Sequence, residues 1–219
     1  MAFYPHVQPV RLPEAARPVL LVVVDTEEEF DWTKPLDRQS TSVSAMDHIE
    51  RVQSIFDEFQ VKPAYVVDYP VATQEQGYRP LRRFLDSGRA EIGAHLQPWV
   101  SPPHDETVNS YNSYPDNLPA ELEARKLQVL TEAIAERFGR RPTIYKAGRY
   151  GFGPNTARAL DTLGYEIDLS PTPPYDMRAD AELALFLERI RGFFGHFLGA
   201  WQGRSMTPSE LRAHLQSGG

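Results

Sequence analysis

Asp25 and Glu27 sit two residues apart in the stretch LVVVDTEEEFDW (21–32), where Val22, Val23 and Val24 run straight into Asp25, Glu27, Glu28, Glu29 and Asp31. On an extended strand, residues i and i+2 point to the same side, so Asp25 and Glu27 converge while Thr26 faces away. Two carboxylates so placed can divide the work of hydrolysis: one binds a metal, the other takes a proton from the metal-bound water. The competing reading is a charged loop in which Asp25 caps a turn. Glu28, Glu29 and Asp31 are expected in solvent or in supporting contacts.

Two further stretches carry chemistry. His95, in EIGAHLQPW, follows an apolar run and suits a neutral imidazole ligand. Its i+2 neighbour Gln97 offers only an amide oxygen, a poor ligand beside imidazole. Trp99 is either a wall against a sugar ring or plain core. YKAGRYGFG (145–153) brings Lys146 and Arg149 beside Tyr150 and glycines 148, 151 and 153. A cation there can orient a catalytic carboxylate or stabilise a developing oxyanion, as can backbone N–H groups. The competing reading is a glycine-rich turn with solvent-facing charges. A dinucleotide-binding G-x-G-x-x-G after the first strand is missing.

These residues need elements to hold them. Apolar runs at 19–24, 63–68, 90–95, 143–147 and 165–170 read as strands. Helical spacing covers 42–60, 79–88, 119–138 and 153–164. Gly88, Gly139 and Gly164 stand where helices end, and Pro154 where one begins. Residues 96–117 form a long loop containing Trp99, Tyr111 and Tyr114, too aromatic for a disordered segment. Strands alternating with helices predict a parallel sheet, doubly wound or closed into a barrel. In either, chemistry gathers at the C-terminal strand ends. There the sequence places Asp25, Asp68, His95, Lys146 with Arg149, and Asp168.

Composition narrows the function classes. A net charge of -7 over 219 residues gives no basic field for nucleic acid or anionic lipid. Cysteine is absent, which removes disulfides, thiolate catalysis and Cys-based zinc sites. No apolar run reaches the roughly 18 residues of a membrane span, and the start has no signal-peptide core. The expectation is a cytoplasmic protein.

VVVDTEEEFDW, EIGAHLQPWVSPP and YKAGRYGFGPNT together, in this order and spacing, resemble the polysaccharide deacetylase family, the NodB-homology carbohydrate esterases. The likeness spans about residues 18–176 and is nearest to a subgroup associated with surface-polysaccharide and lipopolysaccharide synthesis. It implies an α/β fold, a distorted (β/α) barrel, whole or incomplete. It divides the chain into an extension (1–17), a deacetylase-like domain (18–176) and an atypical helical tail (177–219). It also implies metal-dependent removal of an acetyl group from an N-acetylated sugar or polysaccharide precursor, with a divalent metal, zinc first among candidates.

By that resemblance Asp25 matches the general base, while Glu27 and His95 match metal ligands. Lys146 or Arg149 matches the cation that orients the base. Tyr150 falls where the backbone forms an oxyanion hole, and Asp168 near an acid that supports the cation. Trp99 occupies the i+4 position where the family has a second histidine; Gln97 and His104 are the near substitutes. The tail shows no counterpart of the family's last histidine-bearing strand, and neither His196 nor His214 maps onto it. These departures favour a second reading, a catalytically silent carbohydrate-binding or scaffold member of a polysaccharide synthesis system.

Overall fold

The computed structural model describes residues 17–170, 193–194, 196–200 and 202–217. Five strands form one all-parallel sheet: β2 (Val23–Thr26), β3 (Ala64–Val67), β4 (Glu91–Leu96), β5 (Ile144–Ala147) and β6 (Ile167–Asp168). They lie side by side in chain order. A doubly wound sheet reverses direction at a switch point; here there is none, so the crossover helices collect on one face, as in a barrel. The fold is α/β. β2 and β6 have no common partner among the described residues, so the barrel they define is open.

Strand parity sorts the side chains into two layers. Val24, Tyr65, Val67, Ala94 and Tyr145 belong to the main core beneath the helices. Val23, Ala64, Val66, Ile144 and Ile167 form a small cluster on the opposite face. Space is tight there: a Cβ on Gly93 would stand 2.8 Å from the Ile144 carbonyl. Two residues further along the same strands come Asp25, His95 and Lys146. The inner layer thus turns from apolar to titratable at the C-terminal strand ends.

The helices follow from their apolar spacing and end signals. α1 (Ile49–Glu58) continues from a 3-10 turn at Ser44–His48. α2 (Tyr69–Thr73), which periodicity did not predict, is capped by the Asp68 carboxylate accepting from Val71 N–H at 2.9 Å. α3 (Glu75–Asp86) begins four residues before the expected start. α4 (Ala120–Phe138) buries Leu122, Leu127, Leu130, Ile134 and Phe138, and Gly139 ends it at φ 74°. α5 (Pro154–Leu163) starts on Pro154 and ends against Gly164 at φ 83°.

Two expectations are corrected. The first apolar run is not one strand: it breaks at residues 21–22 into β1 (Val19–Leu20) and β2. The tail is not wholly helical either. β7 (Arg204–Ser205) pairs parallel with β1, so the βα alternation continues past the region of resemblance. α6 (Pro208–Gln216) then follows, with Thr207 and Glu210 forming a reciprocal capping box. Thr207 also donates to Glu91, and Lys62 and Arg212 pair with Glu210 and Glu166. Those contacts lie at the N-terminal strand ends, opposite the candidate site. Residues 1–16, and with 171–192 much of the expected tail, lie outside the described residues. No helix among the described residues is long and apolar enough to cross a membrane.

Candidate active site

Asp25, Glu27, His95, Gln97, Lys146, Arg149, Tyr150, Trp32 and Tyr114 line one cleft of about 440 Å³ at the C-terminal strand ends. Lys146 Nζ donates to Asp25 Oδ2 in a close ion pair. That contact decides between the two candidate cations: Lys146, not Arg149, holds the first acid. His95 and Lys146 are register partners on β4 and β5. His95 Nδ1 lies 2.9 Å from the Lys146 carbonyl, which can only accept, so Nδ1 carries the hydrogen.

The other ring nitrogen then faces Glu27. His95 Nε2 and Glu27 Oε2 are 3.2 Å apart. The Gln97 side-chain nitrogen lies against the same Glu27 oxygen and 3.4 Å from His95 Nε2. Burial presses the His95 pKa down, but the Glu27 contact and the nearby Asp25 charge outweigh it and hold it above the usual 6.5. Burial pushes Glu27 up; the His95 and Gln97 hydrogen bonds prevail and its pKa lies below 4.5. Left to themselves, the two form a half-buried ion pair.

The same atoms can serve a metal. With Nδ1–H tied to a carbonyl, a neutral His95 aims its Nε2 lone pair at the Glu27 carboxylate. Two donors 3.2 Å apart suit a cation bonded to each at roughly 2.0–2.1 Å. Gln97 presents its amide nitrogen at that corner, while its Oε1, buried without a hydrogen-bond partner, lies beside Gly148. The donor set fits a divalent cation held by Glu27 and His95, with Gln97 the neutral third neighbour. No cluster of three His, Cys, Asp or Glu occurs among the described residues.

Local backbone explains the convergence. Gly148 lets β5 turn beside β4, because a Cβ there would stand 2.3 Å from the Leu96 carbonyl. Gly151 packs likewise on Pro115. Between them Arg149 and Tyr150 take left-handed conformations, φ 50° and 61°. The Tyr150 ring lies under Lys146 Nζ at 4.8 Å. Arg149 sits over Tyr114 and toward Trp32, its Cζ 4.4 and 5.5 Å from the ring centroids.

Three of the residues singled out in the sequence lie outside the cleft lining. Trp99 is 2% exposed and packs on Phe30, so it belongs to the core; Trp32, 60% exposed, presents the aromatic face at the cleft. Asp168 accepts from Ser170, whose Oγ accepts the Ala147 N–H at 2.8 Å. It supports the backbone next to Lys146 instead of touching either cation. Glu28, expected in solvent or in a supporting contact, is buried, and burial beside Asp68 drives its carboxyl far above the ordinary range. Its N–H donates to Asp68 Oδ2 at 2.9 Å, so the chain turns inward directly after β2. Glu29 accepts from Ser42, Ser44 and the Ala45 N–H, and exposed Asp31 accepts from Thr33. His214 approaches Arg204 from α6, away from the cleft.

Trp32 and Tyr114 were missed as cleft residues, and Ser113 as the partner of Arg149. Trp32 closes the acidic stretch itself, and an aromatic directly after the acids was the signal available. The loop bearing Tyr114 is fastened by fully buried Lys126, which donates to the Pro98 and Ser101 carbonyls and pairs with Glu106 at 3.0 Å.

No protein-family model and no curated protein sequence matches this chain. Solved structures do. A mutant of the peptidoglycan deacetylase PdaC from Bacillus subtilis superposes with a TM-score of 0.55 at 10% identity, covering 94% of each chain. A putative polysaccharide deacetylase from Mycobacterium smegmatis gives 0.52 at 15% identity, covering 96% of this chain and 85% of that one. The fold is that of the family 4 carbohydrate esterases. At these identities the likeness is one of fold. The chain spans only 45% of a family 4 pseudoenzyme mutant with restored activity, at 13% identity, 71% coverage of this chain and TM-score 0.48.

Proposed function

We propose that this protein is a metal-dependent hydrolase that removes an acetyl group from an N-acetylated sugar or polysaccharide precursor. The observation that carries this reading is the pairing of Lys146 with Asp25 immediately beside the Glu27–His95 pair. One acid is oriented as a base, and the other is grouped with an imidazole as a ligand set. The resemblance to surface-polysaccharide deacetylases and the family 4 fold support the substrate class.

Glu27 and His95 would hold the divalent cation, zinc first among candidates, which supplies Lewis-acid polarisation of the water and the acetyl carbonyl. Asp25 removes the water proton as oxygen attacks the carbonyl carbon. Lys146 fixes the Asp25 carboxylate in place, and Tyr150 props Lys146 from below. The Tyr150 backbone N–H is assigned to the developing oxyanion. As the C–N bond breaks, the proton held by Asp25 passes to the leaving amine nitrogen, and acetate is the second product. Asp168 acts at one remove, through Ser170 and the Ala147 N–H. We place the activity in the cytoplasm, on a carrier-linked or free precursor.

The reading is tested by acetate release from N-acetylated hexosamine oligomers. Chelation should abolish it and added zinc should restore it. Undiminished release after exhaustive chelation would overturn metal dependence. A second reading has one observation in its favour: the third corner of the ligand set is the neutral amide of Gln97. A protein that binds such sugars yet neither takes up zinc nor releases acetate would be a carbohydrate-binding scaffold.

A further inference from the structure

The β5 turn carries two cations, and only one is used. Lys146 pairs with Asp25, whereas Arg149 has no carboxylate within ion-pair distance among the described residues. It is nevertheless firmly placed. Gly148 and Gly151 fix the turn, and Arg149 adopts a left-handed backbone that side-chain-bearing residues normally avoid, at a cost on the order of 1 kcal/mol. Its guanidinium is held between Tyr114 and Trp32, and Nη1 donates to Ser113 Oγ at 2.6 Å. An unpaired, half-buried cation held by flat aromatic faces has been positioned in advance for an anion. A neutral sugar would leave that charge partly desolvated and uncompensated.

The planar guanidinium offers five N–H donors in a fork that fits carboxylate and phosphate oxygens. The exposed Trp32 face beside it suits the C–H surface of a sugar ring. Arg149 lines the same cleft as Asp25 and Glu27. We infer that Arg149, braced between Trp32 and Tyr114, binds an oxyanion carried by the acetylated sugar itself, so that the substrate class is an anionic acetylated sugar. This rests on the deacetylase reading for the acetyl end of the ligand. The net charge of -7 makes the preference local to Arg149 instead of a property of the whole surface.

The test is calorimetric binding in an Asp25→Asn background, which removes the base and so stops turnover during the titration. Three probes are compared: N-acetylglucosamine, its 1-phosphate and an N-acetylated hexosaminuronic acid. At least one anionic probe should bind about tenfold or more tightly than the neutral sugar, and Arg149→Gln should shrink the gap to within about threefold. Whether phosphate or carboxylate gives the larger gap identifies the anion. Equal affinities for all three probes overturn the inference, as does a gap that survives in Arg149→Gln. If Arg149→Gln does not fold, Arg149→Lys is read instead: it keeps the charge and loses the fork. The gap should then fall by about threefold or more, and an unchanged gap overturns the inference. A purely structural Arg149 would lower the melting temperature without changing the gap. Acetate release is measured separately, so hydrolysis without anion preference sinks this inference alone, and anion preference without hydrolysis sinks the deacetylase reading alone.

Discussion

At the scale of single residues, the hydrogen bond from His95 Nδ1 to the Lys146 carbonyl governs the site. It commits the second nitrogen to Glu27, and with it the choice between a half-buried ion pair and a metal-ligand pair. Gln97 completes the corner only as an amide. Replacing it by histidine adds a strong ligand two residues along the same inward-facing line. Gln97→His should therefore raise zinc affinity by about tenfold or more, read by competitive titration with a zinc chelator. An unchanged affinity would place the third corner elsewhere. Much of this was legible: strand parity alone brought Asp25 and Glu27 to one side. Parity carried one residue past the end of β2 at Thr26, to Glu27, but did not place Glu28, two residues past it. From there the hydrogen bond between Glu28 N–H and Asp68, 40 residues away, sets the direction. The choice of Lys146 over Arg149 was hidden in the same way, by a turn whose left-handed residues are not glycines.

Elements succeed or fail by how closely they approach one another. Gly148→Ala would drive a Cβ to 2.3 Å from the Leu96 carbonyl, and backbone cannot step aside as a side chain can. A loss of about 3 kcal/mol or more is expected by chemical denaturation, with β5 displaced from β4. Wild-type stability in that variant would contradict the close packing of the turn. α4 and α5 meet at buried Glu123, which accepts from Thr156 while Thr156 accepts the Gly153 N–H. Burial raises the Glu123 pKa from 4.5 to about 7, with Asp116 adding to the shift. The folded-state value lies above the unfolded one, so the folded protein keeps its proton longer and stability falls as pH rises from about 4.5 to about 7. Glu123→Gln removes that loss. The difference in unfolding free energy between variant and wild type should grow in the variant's favour across this range, by on the order of 2 kcal/mol. A pH-independent difference would mean that Glu123 is ionised in the folded state. Helix spacing announced α4 and α5 almost to the residue, but α2 depends on the Asp68 cap and is too short to show periodicity.

The whole molecule separates stability from chemistry along the strand axis. α6 and β7 secure the N-terminal strand ends through Glu91, Lys62 and Glu166, while the cleft opens at the other end. The βα alternation was readable from apolar runs between helical patterns. The strand order was not, since neighbouring strands meet only through contacts distant in sequence. β7 escaped because two residues carry no alternation, and its partner β1 looked like part of the next strand. The central claim remains chemical: one inward-facing acid, held by Lys146, activates water beside the Glu27–His95 pair. The most direct test is steady-state acetate release by wild type and Asp25→Asn from the same N-acetylated sugar. A loss of about 100-fold or more in kcat, with sugar binding retained, is the predicted result. Equal rates in the two proteins would remove Asp25 from the reaction and contradict the account.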